Sequence, residues 1–357
     1  MRSLTKRCHP FSASVLLALA CAMAHAAENP ETASGVGGRA LAKEVAAKGW
    51  IVYSTKTPHG DYDVFLSRPD GSSKRNLTQT PDFNEYGARF SPDSARILYR
   101  RHKAGTETNH DRWGALGTLV IANADGSNPA AQGGEGEWPW ASWSPDGKRF
   151  ACLYKREGKI TIVEADSKKV IKTLPRQGIF QQLFWSADGK RLCGTANING
   201  QDWNILTVDL ETGKATLITR ALNCTPDWFQ TDPNRVIYSN RTPGLGSENG
   251  WTMLMQATAD GKSRTLVYGE RDRHIYYGCT SPDDKYVIFS RPPADGRMEG
   301  PMTIVRLADT PIIPGDFKEL KALYPNAKDG PAFLLEESGF EPYWTYVDVG
   351  GKTDAGR

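Results

Sequence analysis

Several things are scarce in this chain of 357 residues, and each scarcity narrows what it can be. No apolar run approaches the roughly 20 residues that a membrane-spanning helix needs. Cysteines number six, and only Cys152, Cys193, Cys224 and Cys279 lie beyond residue 26, too few for a disulfide framework. None of them forms a C-x-x-C pair, which argues against a thiolate metal site, and their apolar flanks (FACLY, RLCGT, YYGCT) suit small buried hydrophobes. Excess charge is also missing. Beyond residue 26 basic and acidic residues balance, so nothing in bulk draws the chain to nucleic acid or anionic lipid. No G-x-S-x-G elbow is present, so nucleophilic hydrolysis has no recognisable motif.

What is abundant points one way. With 35 glycines, 22 prolines and 10 tryptophans, the composition favours many short strands joined by tight turns over helix bundles. The first 26 residues read as a secretory signal. They have a basic start (Arg2, Lys6, Arg7), an apolar run of about ten residues and the small-x-small ending Ala24-His25-Ala26. Cleavage there leaves a soluble chain outside the cytoplasm, periplasmic or otherwise exported. Cys21, after Leu19-Ala20, offers the alternative of a lipoprotein anchor.

A repeat organises the remainder. An aromatic anchor precedes a Ser-Pro-Asp-Gly-like turn, a basic residue and an apolar strand. The copies start at Phe90, Trp143 and Trp185, with degenerate ones at Trp228 and Thr280, in steps of about 42 to 53 residues. Proline presets the second turn position, aspartate bonds back to the chain, and glycine takes the positive dihedral, so the unit joins two antiparallel strands. A second hairpin turn follows each copy, as in TLVIANADG and ILTVDLETG. Four strands at this spacing make one propeller blade. The run Gly49-Trp50-Ile51-Val52-Tyr53 matches the second strand of a blade with no first strand before it. Near the other end, Gly339-Phe340-Glu341-Pro342-Tyr343-Trp344 matches an inner strand without a turn of its own. The expectation is an all-β, single six-bladed propeller over 49–349, with 339–349 closing the first blade. A leader helix is expected over 38–48, a helical insertion over 311–337, and a tail over 350–357.

The W-S-P-D-G-K-R unit and its x-A-D-G hairpin resemble the WD40-like repeat of the TolB-type propellers, periplasmic components of the Tol biopolymer transport system. The resemblance spans about 49–349, and the α/β domain that precedes the propeller in that family is not expected in the short leader. It implies an extracytoplasmic, non-catalytic interaction module, monomeric and without a cofactor, whose partner is an envelope protein or peptide segment or a polysaccharide.

Function in a propeller concentrates at the channel mouth, where loops enter the innermost strands. The candidate binding residues there are Glu85, Tyr86, Trp138, Trp140, Gln182, Arg273, His274, Tyr276, Tyr277, Glu341 and Tyr343, a set rich in rings and hydrogen-bonding groups. The aromatics among them have packing between blades as their competing role. A second constellation, His102, His110, Asp111 and His274, carries the alternative of a divalent metal serving a saccharide lyase or hydrolase. Its members share no fixed ligand spacing, so convergence depends on the fold.

Overall fold

A computed structural model describes residues 36–350 except 107–116, 135, 139, 155–158, 221, 242–251, 271–272, 295–298 and 308–332. After a helix α1 (Val36–Val45), the described chain is all strand. The strands are β1 (Trp50–Lys56), β2 (Tyr62–Ser67) and β3 (Arg75–Asn76), then β4 (Phe83–Phe90), β5 (Arg96–Lys103), β6 (Thr118–Asn123) and β7 (Ala130–Gln132). Next come β8 (Ala141–Trp143), β9 (Arg149–Tyr154), β10 (Lys159–Glu164) and β11 (Val170–Pro175), followed by β12 (Ile179–Trp185), β13 (Arg191–Ile198), β14 (Gln201–Asp209) and β15 (Ala215–Thr219). The last are β16 (Asn223–Trp228), β17 (Arg235–Asn240), β18 (Met253–Thr258), β19 (Arg264–Gly269), β20 (Tyr276–Thr280), β21 (Tyr286–Ser290), β22 (Gly300–Arg306) and β23 (Phe333–Thr345).

Four antiparallel four-stranded blades form, β4–β7, β8–β11, β12–β15 and β16–β19, in a propeller arrangement. The expectation of six separate sheets is corrected. The remaining strands make one seven-stranded sheet, β20-β21-β22-β23-β1-β2-β3. The cause is β23, whose 13 residues serve two neighbours. Its first half pairs with β22 (Ile304 with Phe333, Gly300 with Gly339), and its second half pairs with β1 (Ser54 with Phe340, Trp50 with Thr345). This strand also begins earlier than the sequence suggested, so 333–337 is strand rather than helical insertion. The helical run expected within 311–332 lies outside the described residues.

The burial of each strand follows its place in the blade. Sheets stacked face to face bury both strand faces, so β21 is buried at every position, whereas five of the six residues of the outermost strand β11 are exposed. The repeat motif supplies the mortar between blades. In three copies the arginine that follows the turn lies over the anchor tryptophan of the next blade: Arg96 over Trp143 at 4.8 Å, Arg149 over Trp185 at 5.3 Å and Arg191 over Trp228 at 5.2 Å. At the β21 to β23 seam Tyr286 holds the arginine's place and packs on Trp344 at 5.8 Å. The strap α1 buries Leu41 and Val45 on the same cluster, and its Glu44 bonds Tyr286 and Arg306.

Within each turn the serine hydroxyl donates to the aspartate, and its oxygen accepts the N–H five residues on, as Ser144 does with Asp146 (Oδ1) and Arg149. The positive-φ position then meets the preceding blade. A Cβ on Gly147 would lie 3.5 Å from Pro92, and one on Gly189 would lie 3.7 Å from Pro145. Where the repeat degenerates, a polar side chain replaces that contact. Ser94 bonds Thr345 at 2.7 Å, and the Asp284 carboxylate accepts the N–H groups of Gln230, Thr231 and Asp232. Asp284 therefore ties down the repeat turn that lacks the Ser-x-Asp pair. Asp284→Ala is expected to cost about 2 kcal/mol in chemical denaturation, the loss of charge-assisted bonds to three N–H groups. Asp93→Ala, whose serine bond stays within one turn, is expected to cost about half as much.

Candidate functional site

The innermost strands share one irregularity. In β4, β12, β16, β20 and β23 the pairing slips by one residue between Tyr86 and Arg89, Gln181 and Phe184, Cys224 and Asp227, Tyr276 and Cys279, and opposite Val52 and Ser54. The first bulged residue is left-handed in every case: Gly87 (φ 65°), Gln182 (52°), Thr225 (48°), Tyr277 (57°) and Glu341 (51°). A left-handed non-glycine residue costs about 1 to 2 kcal/mol, so the four side chains are held there against local preference. All five positions stand three residues before the anchor, a place taken in the β8–β11 blade by Trp140 without a bulge. Bulges re-aim side chains, and these six residues line one small cavity enclosed by β4, β12, β16, β20, β23 and the residue preceding β8.

The cavity has a volume of about 20 Å³, room for one water. The channel is pinched there by two stacked ion pairs. Arg100, from β5, places Nη2 2.8 and 2.7 Å from the two oxygens of Glu341, and its guanidinium lies 3.6 Å over Trp140. Gly87 permits this pair, because a Cβ there would strike Arg100 Nη1 and Glu341 Oε2. Two residues further along the inner strands, Arg89 of β4 reaches Asp227 of β16 at 2.9 Å and stacks 3.5 Å over Phe184 and 4.9 Å over Tyr343. Burial pushes the Asp227 carboxyl up, and Arg89 pulls it back. Below the second pair the channel widens into a vestibule of about 250 Å³ on the turn face, walled by Trp143, Trp185, Trp228, Pro92 and Pro145.

Of the residues expected at the mouth, Trp140, Gln182, Tyr277 and Glu341 converge on this waist. Tyr343 does not: it lines the vestibule on the opposite side of the ion pairs. Rings that were to present open faces are spent on one another. Tyr86 packs between Tyr62 (5.4 Å) and Phe340 (5.6 Å), Phe340 meets Tyr277 (6.1 Å), Tyr277 meets Tyr276 (6.0 Å), and Tyr276 stacks on His274 (5.1 Å). Trp138 is buried against Phe150. Arg273 makes an isolated backbone bridge to Pro293, and Glu85 is wholly buried beside Thr80 and Arg101. Tyr276 belongs to a separate pocket of about 150 Å³ with Trp203, Leu222, Cys224, Arg241 and Thr252.

The histidine constellation is not assembled by the described residues. His102 is buried edge-on to Tyr86, and burial with the nearby Arg100 depresses its imidazole to about 3, so it stays neutral. His274, on another sheet, takes Arg241 Nη2 at 3.2 Å. His110 and Asp111 lie outside the described residues. Among the described residues no three His, Cys, Asp or Glu side chains group to hold a metal ion.

Sequence reasoning missed Arg89, Arg100, Phe184, Thr225 and Asp227. The available signal was register: the residues one and three before the anchor recur as channel-lining positions, and the alignment by loop entry looked further upstream.

No family model matches the sequence, and no curated protein matches it. Among solved structures the fold is similar to TolB from Acinetobacter baumannii, at 17% identity and a TM-score of 0.60 over 84% of this chain and 67% of that one. It is also similar to a putative TolB from Agrobacterium tumefaciens, at 17% identity and 0.52 over 74% and 87%. A chain of a nidogen/laminin complex matches at 10% identity and 0.53 over 74% and 92%. These likenesses show a TolB-like β-propeller fold.

The buried pair at the waist gives a test by double-mutant cycle. Asp227→Leu alone leaves Arg89 buried without its carboxylate and is expected to lose about 3 to 5 kcal/mol in denaturant titration. Arg89→Met with Asp227→Leu is expected to recover most of that loss, because no charge is then stranded.

Proposed function

We propose that this TolB-like β-propeller is a non-catalytic binding module, exported across the inner membrane, whose channel mouth takes a segment of an envelope protein or an envelope polymer. The observation that carries the reading is the ring three residues before the anchors. Strained backbone is retained where something outside the fold makes use of it, and here it turns Gln182, Thr225 and Tyr277 inward at the waist that the Arg100–Glu341 and Arg89–Asp227 pairs close. A channel closed at its waist is a cup, and a ligand entering it stops there. Its lining carries the Gln182 amide, whose oxygen also accepts the Thr195 hydroxyl, and the Tyr277 phenol, groups suited to hydrogen-bonding a peptide backbone or a sugar ring.

In this reading the seven-stranded sheet counts as two blades sharing β23, which makes a six-bladed ring tied shut by its last strand and a monomer with no free sheet edge across the seam. Among the described residues no helix is long and apolar enough to cross a membrane. The signal over 1–26 and a periplasmic site of action belong to the same proposal, with acylation at Cys21 as its variant. A metal-assisted saccharide lyase or hydrolase is not favoured, because His102 is buried in an aromatic cluster and His274 is engaged by Arg241 on a different sheet.

The test is a crosslinking capture from the envelope of the source cell with the native chain and with Gln182→Ala/Tyr277→Ala, both shown to be folded by thermal melting. A partner held by the native chain and reduced at least about tenfold by the double variant is the expected result, the loss of two well-placed contacts. Equal capture by both places the binding surface elsewhere and ends this reading.

A further inference from the structure

The seam between the first sheet and the β4–β7 blade buries more negative charge than it neutralises. Asp63 on β2 and Glu85 on β4 are 2% and 0% exposed, and among the described residues the cation paired with them is Arg101 of β5, whose Nε stands 3.3 Å from Glu85 Oε1. Asp63 is anchored by Asn76 (2.6 Å) and Thr78 (3.1 Å), and Glu85 accepts the Thr80 hydroxyl. Glu85 Oε2 is buried without a donor, and Thr80 brings the two carboxyls together, its N–H reaching Asp63 Oδ1 at 3.5 Å while its hydroxyl donates to Glu85 Oε1. Two acceptors facing each other out of water require a proton between them, and with that proton the cluster of two carboxyls and one guanidinium becomes neutral.

We propose that Glu85 holds a proton against Asp63 that fastens this seam under mildly acidic conditions and is given up as the surroundings pass neutrality, which makes the mouth side of the propeller responsive to pH. The groups facing the pair are Arg101 and Tyr99 on β5, with His102 one residue further on; Asp82 on the preceding loop is exposed. Arg101 beside Glu85 disfavours a metal ion in the proton's place. Burial raises the Glu85 carboxyl to about 7 from 4.5. A carboxyl raised on folding makes the folded state the better proton binder, so its contribution is full below about pH 4.5 and is lost as pH rises to about 7. His102 has the opposite sign. Lowered from 6.5 to about 3, it contributes fully above pH 6.5 and loses that contribution as pH falls. The two offset each other in the native chain, so the effect of Glu85 is read as a difference.

The experiment compares melting temperatures of the full chain and Glu85→Gln from pH 5 to 8. The variant is expected to gain about 5 °C on the native chain across that range, and a difference that stays constant with pH overturns the proposal. Infrared titration of the native chain gives a readout that needs no variant. A protonated carboxyl C=O band is expected at pH 6 and is lost by pH 8, and its absence at pH 6 overturns the proposal. Calcium added at pH 8 tests the competing occupant. Stabilisation of the native chain and not of Glu85→Gln assigns a cation to the pair and overturns the proposal.

Discussion

One extra residue in an inner strand, held left-handed three places before the anchor, governs the interior of this propeller. Without the slip, strand alternation would send residues one and three before the anchor to the same face in uninterrupted register. With it, the strand bends at the channel, and both positions project inward at different depths, giving one ring that ends in Glu341 and a second that pairs Arg89 with Asp227. Burial of two guanidiniums and two carboxylates is tolerated because each cation is forked or stacked, Arg100 on Trp140 and Arg89 on Phe184. The single glycine in the ring, Gly87, stands where any side chain would break the first of these pairs.

The turn motif serves the outside of the ring as the bulge serves the inside. Its serine and aspartate build the turn, its arginine covers the tryptophan of the next blade, and its left-handed residue touches the blade before. Each copy is thus a connector as well as a hairpin. This explains why the degenerate copies are compensated in their neighbours, Asp284 for the turn at 230–232 and Tyr286 for the missing arginine. Local signals and the global fold agree at nearly every blade, which is the condition for a funnelled landscape.

The mouth is less open than its composition suggests. Tyr86, Tyr276 and Phe340 belong to one chain of ring contacts, Trp138 packs on Phe150, and the positions re-aimed by bulges line the waist together with Trp140. Burial of aromatics is the default outcome when rings sit at the convergence of blades, since each removes a large apolar area from water. Glu85, at the neighbouring seam, directly precedes Tyr86, so the packing of the mouth and the charge state of that seam are physically contiguous.

By itself the sequence determined the all-β repeat, the blade spacing, the turns and the pairing of the last strand with the first. These follow from local chemistry repeated in register: Pro and Gly dihedrals, Asp bonding to its own turn, and apolar strands between. The tertiary structure alone decided which side chains meet. That β23 would begin at Phe333 and join two strand sets into one sheet was decided there, and that Tyr343 would fall on the far side of the ion pairs from Tyr277 and Arg89 would find Asp227 some 138 positions away goes with a one-residue slip in five inner strands. A slip of that kind leaves no mark in hydrophobic periodicity when a glycine, a glutamine, a threonine, a tyrosine and a glutamate all take the same left-handed place.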